Sequence, residues 1–197
     1  MYMNNILTDY DYQCPFMNGF AAVGLNDKWN FINTDGQLLF KQWFDWVQDF
    51  NENFAVVELN GKWNFIDAKE QFLCEQWFDW IESFYKGFAK IKLNGKYNYI
   101  NVEGQLLYEQ WFDGIWNFND GFATVKLNDK WNFIKNDGQF LSQQWFDEVG
   151  SFNEGLCVVR LDNKWNCINS DGQLLFHQWF DQVKKNKLNL KNNNYEN

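Results

Sequence analysis

The chain has 197 residues, a formal net charge of −9 and 46% hydrophobic residues, and 21% of its residues are aromatic. This apolar content is far above that of disordered chains, so the sequence predicts a folded protein with an aromatic core. Arg160 is the only arginine. Because phosphate backbones and anionic lipids select for Lys and Arg, we expect neither nucleic acid nor a membrane as a direct partner.

The N-terminal segment has no basic region and no apolar run of signal-peptide length, and no later segment resembles a membrane span. These features favour a cytoplasmic location. Residues 8–19 align with the end of the longer repeat described next and form a partial copy of it. The partial copy is predicted to act as an N-terminal cap, or as the strand that closes a ring.

Two motifs recur five times, always 34 residues apart. A Lys-aromatic-Asn motif places its aromatic residue at Trp29, Trp63, Tyr97, Trp131 and Trp165, and a Gln-Trp-Phe-Asp motif places its Trp at Trp43, Trp77, Trp111, Trp145 and Trp179. A fixed interval without insertions predicts a repeated unit of structure. The copies run near 20–53, 54–87, 88–121, 122–155 and 156–185, and we expect them to form one domain over 1–185. The Lys- and Asn-rich tail, 186–197, is predicted to be disordered.

Each copy opens with a hairpin. In the second copy Asn60-Gly61 separates two alternating segments, which is the strongest short-range signal for a two-residue turn. That turn would pair Leu59 with Lys62 and Glu58 with Trp63. Both faces of the hairpin would then be partly apolar, so each hairpin should be sandwiched between its neighbours.

A second turn, such as Val102-Glu103-Gly104, follows each hairpin, and the second copy departs from its sequence with Ala68-Lys69-Glu70. A third strand such as Gln105–Tyr108 is predicted next, and Gln-Trp-Phe-Asp then leads through an irregular link to the next hairpin. No apolar stripe of helical period persists. The predicted fold is all-β, an array of five units of three to four strands in an open solenoid-like stack. The alternative is a closed five-bladed propeller.

The segment 87–113 resembles the WG-containing repeats of bacterial proteins. It has their Gly-Phe-Ala opening, Asn-Gly-Lys turn, aromatic-Ile exit, second Gly turn and aromatic-Asp close. The family's namesake Gly is replaced by Asn30, Asn64, Asn98, Asn132 and Asn166. The resemblance implies a β-repeat array associated with binding and carries no catalytic residues. A superficial similarity to choline- and glucan-binding repeats is opposed by the 34-residue interval, because those units are shorter.

Residues present in every copy are best explained by what every unit needs. An Asp follows Phe each time, at Asp45, Asp79, Asp113, Asp147 and Asp181. A carboxylate ladder for cations is one interpretation, but an Asp that accepts backbone N–H bonds in its turn is the favoured one. The repeated Trp and Phe residues are likewise interpreted as part of the core, and a stacking platform for a ligand is the less favoured interpretation.

Three further tryptophans appear only in the links after copies one to three, at Trp46, Trp80 and Trp116. If they are exposed on one edge, they would form an aromatic strip rimmed by Asp49, Glu82 and Asp120. Such a strip would suit a protein partner or a stacked sugar. The alternative is that they fill gaps between neighbouring links.

The sequence contains no catalytic constellation, so we expect no enzyme activity, no cofactor and no metal site. His177 is the only histidine, and its equivalents in other copies are Lys, Glu and Gln. Cys14, Cys74, Cys157 and Cys167 lack metal-ligand spacing, and the last three replace mostly apolar repeat residues, as buried free thiols do. The hairpin register puts Cys157 opposite Ile168 and away from Cys167, so no disulfide is expected between the two cysteines.

The leading hypothesis is a non-enzymatic protein-binding module that binds a protein through the exposed Trp strip on an acidic β scaffold, and the negative charge is compatible with a partner that has a basic surface. A second hypothesis is an acidic inhibitor, carried by a phage or plasmid, whose carboxylates imitate phosphates towards a nucleic-acid enzyme. A third is carbohydrate or cell-wall binding through stacked aromatic rings, although the missing export signal counts against a glycan partner.

Overall fold

The structure is a computed structural model that describes residues 10–119 and 121–181. Within these ranges the chain forms strands and turns but no helix, and therefore no helix that could span a bilayer. The strands build five separate three-stranded antiparallel sheets. The prediction of an all-β repeat array is therefore confirmed.

The strands are β1 (Tyr12–Gln13), β2 (Phe20–Leu25), β3 (Lys28–Asn33), β4 (Trp46–Asn51), β5 (Phe54–Leu59), β6 (Lys62–Asp67), β7 (Trp80–Ile81), β8 (Phe88–Leu93), β9 (Lys96–Asn101), β10 (Gly114–Ile115), β11 (Phe122–Leu127), β12 (Lys130–Lys135), β13 (Glu148–Val149), β14 (Leu156–Leu161) and β15 (Lys164–Asn169). Consecutive triplets in this order form sheets one to five.

The hairpin of each sheet has the predicted two-residue turn. Asn60 and Gly61 both have positive φ, 54° and 74°, as a turn matched to the strand twist requires. Leu59 pairs with Lys62 and Glu58 pairs with Trp63. The same register recurs in every sheet and puts Cys157 opposite Ile168, so the predicted register is confirmed.

The third strand of each sheet is not the one that the sequence predicted. It precedes the hairpin and comes from the supposedly irregular link, as in β4, which pairs with β5. Val47 and Phe50 of this link are buried, whereas Trp46 and Gln48 are exposed, so burial of apolar side chains stabilises it as a strand. The segment predicted as a strand, 105–108, makes only an isolated bridge between Leu106 and Ile100.

The second hairpin is covered on both faces, as its amphipathic pattern requires. In residues 10–111, Ala55, Val57 and Ile66 of the second hairpin pack in a core cluster with phenylalanines of the first copy. Val56 and Phe65, on the opposite face, pack in another cluster with residues of the third copy. A similar cluster joins the fourth and fifth copies. The packing confirms that the units depend on their neighbours for a core.

Two glycines lie where one copy's second turn closely approaches the backbone of the preceding copy. Gly104 has φ +77°, and a Cβ atom there would lie 2.5 Å from the carbonyl oxygen of Leu73. Gly172 meets Leu141 in the same way. The second copy instead has Glu70 at the equivalent position, with φ 62°.

The described residues fall into two compact units, 10–111 with the first three sheets, and 112–181 with the last two. The single domain over 1–185 and the choice between an open stack and a closed ring stay predictions. The start of the partial copy at residues 8 and 9, the end of the last copy and the tail at 186–197 lie outside the described residues.

Candidate functional site

Each sheet carries a row of three directly opposed residues next to its hairpin turn. A row contains one residue of the first strand, its partner on the second strand, and the repeat aromatic on the third. Direct cross-strand neighbours share one face of a sheet, so the three side chains of a row lie side by side. We call these sets aromatic rows 1 to 5. They are Tyr12–Gly24–Trp29, Trp46–Glu58–Trp63, Trp80–Lys92–Tyr97, Gly114–Lys126–Trp131 and Glu148–Arg160–Trp165.

Trp46 and Trp80 begin the first strands of rows 2 and 3 and are exposed, at 41% and 37% of their surface. The ring of Trp46 contacts that of Trp63 edge to face, with centroids 5.3 Å apart. In row 3, a surface cleft of about 480 Å³ is lined by Asp79, Trp80, Lys92, Gly95 and Tyr97. These two variable tryptophans therefore lie at the surface beside the repeat aromatics.

Trp116 also lies beside the repeat aromatic of its sheet, although it occupies a different sequence position in the repeat. Row 4 has Gly114 where rows 2 and 3 have Trp, and Trp116 follows two residues later. Its indole folds back over Gly114, where an added Cβ would lie 2.9 Å from the ring, and its centroid is 4.9 Å from that of Trp131. Trp116 is 43% exposed. A tryptophan therefore stands beside the repeat aromatic in rows 2, 3 and 4.

The middle residue adds a charge to four of the five rows. Lys92, Lys126 and Arg160 place their cations over the repeat aromatics of rows 3, 4 and 5, with 4.9, 5.6 and 5.7 Å to the ring centroids. In row 5, Arg160 also donates from Nε to Glu148 at 2.9 Å. Row 1 has Gly24 in the middle, and Tyr12 stacks on Trp29 across it. Sequence comparison overlooked these middle residues, although they vary among copies as much as the link tryptophans do.

The residues of the predicted acidic rim, Asp49, Glu82 and Asp120, differ in exposure and in ion pairing. Asp49 is exposed on β4. Glu82 is half-buried and accepts from the Lys90 ammonium at 3.2 Å, so its charge is paired within its own sheet. Asp120 lies outside the described residues.

The invariant Asp is a clamp between consecutive hairpins. Asp45 accepts the backbone N–H of Asn60, in the turn of the next hairpin, at 2.6 Å, and also binds the Lys28 ammonium of the preceding hairpin. The N–H bond recurs at Asp79, Asp113 and Asp147. Hydrogen bonds from Lys and from the turn N–H lower the pKa of Asp45, Asp79 and Asp147. The Asp thus accepts a turn N–H as predicted, but in the turn of the next copy and not in its own.

A second set of repeat residues was not singled out as structural from the sequence. The Asn that replaces the family's Gly is fully buried in every copy. Asn64 accepts the N–H of Phe65 at 2.7 Å and donates to the carbonyls of Cys74 and Gln76 at 3.0 and 3.3 Å. Its presence in all five copies, within an apolar strand segment, is the sequence feature that could have predicted a structural role. These bonds hold the segment after the second turn against the hairpin.

The remaining polar candidates do not converge on a reaction centre. His177 is exposed, and within the described ranges no group of three or more His, Cys, Asp or Glu residues is arranged to hold a metal ion. All four cysteines are free thiols. Burial raises the pKa of the Cys157 thiol to about 12, so this thiol is protonated at neutral pH and unreactive.

Several solved structures align with the chain at low sequence identity. The Hsv2 protein of Kluyveromyces lactis is 10% identical and aligns over 80% of this chain and 59% of its own, with a TM-score of 0.39. A protein of unknown function from Bacteroides caccae is 12% identical, over 89% and 81%, with a TM-score of 0.32. A eukaryotic initiation factor is 11% identical, over 89% and 55%, with a TM-score of 0.45. The chain therefore spans less than two thirds of the Hsv2 chain.

No curated protein matches the sequence. The family model of the WG containing repeat matches residues 31–63, 77–97, 99–131 and 133–165, which together make up more than half of the chain. The protein therefore belongs to the WG-containing repeat family.

Proposed function

We propose that this repeat module is a non-enzymatic protein-binding module whose contacts are made by aromatic rows 2 and 3 in the first unit and by aromatic row 4 in the second. The observation that carries the proposal is the exposure of Trp46, Trp80 and Trp116, three large side chains that the repeat itself does not require. Partly exposed tryptophans that gain burial on association are typical anchors of protein interfaces.

The surroundings of the three rings support this role. Each lies beside a repeat aromatic on one face of its sheet, so an anchor and a rigid aromatic neighbour are presented together. Rigid neighbours reduce the conformational entropy that binding must overcome. The rest of the repeat, including the buried Asn and the clamping Asp, is a scaffold that holds the rows in place.

The test is capture of partners from the native host by wild-type protein and by the variant Trp46→Ala/Trp80→Ala/Trp116→Ala. We expect the variant to lose the captured protein while it keeps a cooperative thermal transition, because all three rings are partly exposed and lie at the surface. Phe78→Ala, which removes a buried ring, is the matched control and should lower the melting temperature strongly. Retention of the same partner by the folded triple variant would contradict the proposal.

Carbohydrate binding is the second candidate, and one observation favours it. The row 3 cleft places Trp80 and Tyr97 around an open space of about 480 Å³, and aromatic faces are common platforms for sugars. Retention on insoluble glycans that is lost in Trp80→Ala would support this function. The absence of retention on every glycan tried would remove it.

A further inference from the structure

Row 2 differs from rows 3, 4 and 5 in the sign of its middle residue. Rows 3 to 5 place a lysine or arginine of the chain itself over the repeat aromatic. Row 2 has Glu58 at that position, between Trp46 and Trp63. The same fold position therefore carries a cation in three rows and a carboxylate in this one.

The carboxylate of Glu58 has no ion pair with any residue in 10–119 or 121–181. In the same ranges no cation lies over the ring of Trp46 or Trp63. Asp45, the charged neighbour of Trp46 in sequence, is already held by Lys28 and by the Asn60 N–H. Glu58 is thus the half-buried carboxylate of this row that has no internal counter-ion.

Row 4 demonstrates that the contact between two indoles leaves room for a cation. Trp131 contacts Trp116 at 4.9 Å between centroids, and Lys126 still reaches the same ring at 5.6 Å. The contact between Trp46 and Trp63, at 5.3 Å, has a similar spacing. Row 4 thus shows that a repeat tryptophan in contact with a second indole still accepts a cation on its ring, and row 2 has two such indoles with a carboxylate in place of Lys126.

We propose that row 2 binds a cationic side chain of the protein partner, with Glu58 as the counter-ion and Trp46 and Trp63 as the aromatic walls. This inference rests on the proposed function and names the partner chemistry of one row. Arginine fits best, because its planar guanidinium stacks on aromatic faces and forms paired hydrogen bonds with a carboxylate. The net charge of −9 favours the approach of such a basic partner.

The direct test is an NMR titration of the full chain with the peptide acetyl-Gly-Arg-Gly-amide, in which the indole N–H signals of Trp46 and Trp63 are followed. The matched ligand is acetyl-Gly-citrulline-Gly-amide, which has the same shape without the charge. We expect saturable shifts of both indoles with arginine and roughly tenfold weaker binding of citrulline. Equal binding of the two peptides, or shifts confined to other tryptophans, would overturn the proposal.

The chain supplies its own matched variants. Glu58→Lys gives row 2 the middle residue of rows 3 and 4, which the same hairpin accommodates, and should abolish the arginine response while the melting temperature stays close to that of wild type. Lys126→Glu makes the reciprocal change in row 4 and should create an arginine response at Trp116 and Trp131. If Glu58→Lys fails to fold, Glu58→Gln removes the charge with little change of shape. Unchanged arginine binding in a folded Glu58 variant would overturn the proposal.

These variants also separate this inference from the proposed function. Partner capture that survives Glu58→Lys but is lost in Trp46→Ala would contradict only the cationic side chain. Partner capture that survives removal of all three exposed tryptophans would contradict the protein-binding surface itself.

Discussion

Asp45 and Asn60 are joined across 15 residues by one hydrogen bond, in which Oδ2 of the aspartate accepts the turn N–H of the asparagine at 2.6 Å. The same carboxylate binds Lys28 of the hairpin before it. One side chain thus connects two consecutive hairpins and also satisfies a backbone donor at the turn. An insertion in the link would break this connection, which gives a physical reason for the constant 34-residue interval.

The clamp predicts a specific response to acid. Hydrogen bonds from Lys and from the turn N–H depress the pKa of Asp45, Asp79 and Asp147 below the usual value of 3.8. A carboxyl group whose pKa is lower in the folded than in the unfolded chain stabilises the fold at pH values above its unfolded-state pKa. This stabilisation is lost as the pH falls through the folded-state pKa. We therefore expect the melting temperature to fall as the pH is lowered from 3.8 through the depressed pKa values of these carboxyl groups.

The measurement is the melting temperature of wild type and of Asp45→Asn/Asp79→Asn/Asp147→Asn between pH 7 and pH 2. The amide keeps an acceptor for the turn N–H and loses the ionic contact with Lys. The variant should melt a few degrees lower at neutral pH, and the difference should shrink as the wild-type carboxylates become protonated. A difference that stays constant over the whole pH range would contradict the clamp.

The buried Asn predicts a large loss of stability on truncation. Asn64→Ala leaves the N–H of Phe65 and the carbonyls of Cys74 and Gln76 without their side-chain partner. We expect a loss of about 3 kcal/mol in the free energy of unfolding, measured by urea denaturation. Asn136→Ala, at an exposed turn, is the control and should change it by less than about 0.5 kcal/mol. Equal effects of the two substitutions would contradict the role of Asn64.

Two glycines with nearly the same backbone conformation separate torsional strain from steric contact. Gly95 and Gly104 have φ of +79° and +77°, but only Gly104 faces a neighbouring backbone atom, the carbonyl oxygen of Leu73. Gly95→Ala should cost about 1 kcal/mol through its left-handed conformation alone. Gly104→Ala should cost roughly 2 kcal/mol more, because Leu73 must move. Denaturation midpoints that fall equally in both variants would show that the copies do not meet there as described.

Gly114 predicts a change in the binding surface without a change in stability. A methyl group there would displace the indole of Trp116 from its position beside Trp131. We expect Gly114→Ala to shift the indole N–H signals of both tryptophans and to alter stability by no more than about 1 kcal/mol, since the displaced ring is exposed. Gly150→Ala, whose Cβ would meet ordinary contact distances, should leave these signals unchanged. An unperturbed Trp116 signal in Gly114→Ala would contradict the row 4 geometry.

The hairpins could be predicted from the sequence because their register is decided locally. Asn60-Gly61 accepts positive φ at both turn positions, and the alternation of apolar residues fixes which residues face each other. The third strand could not be predicted in this way. The segment predicted as that strand, 105–108, is held against the hairpin by backbone bonds from Asn101 to Gln105 and from Leu107 to Tyr99 and by the Asn98 side chain, which donates to the carbonyls of Tyr108 and Gln110.

The candidate site was predictable in part. Comparison of the copies picks out Trp46, Trp80 and Trp116 as residues that the scaffold does not require. The return of Trp116 over Gly114 depends on the path of the link and has no signal in the spacing. The sequence alone shows that Glu58 and Lys92, at equivalent hairpin positions, have opposite charges. That these residues lie beside the exposed tryptophans follows only from the cross-strand pairing in the structure.

The most direct test of the account is the affinity of the captured partner for wild type and for Trp80→Ala, measured at low and at moderate salt alongside the melting temperature. We expect Trp80→Ala to weaken binding at least roughly tenfold, as anchor residues do, while the protein stays folded and the salt dependence remains modest. Unchanged affinity in Trp80→Ala, combined with a steep loss of binding between low and moderate salt, would contradict the aromatic surface and favour an acidic inhibitor that imitates phosphates.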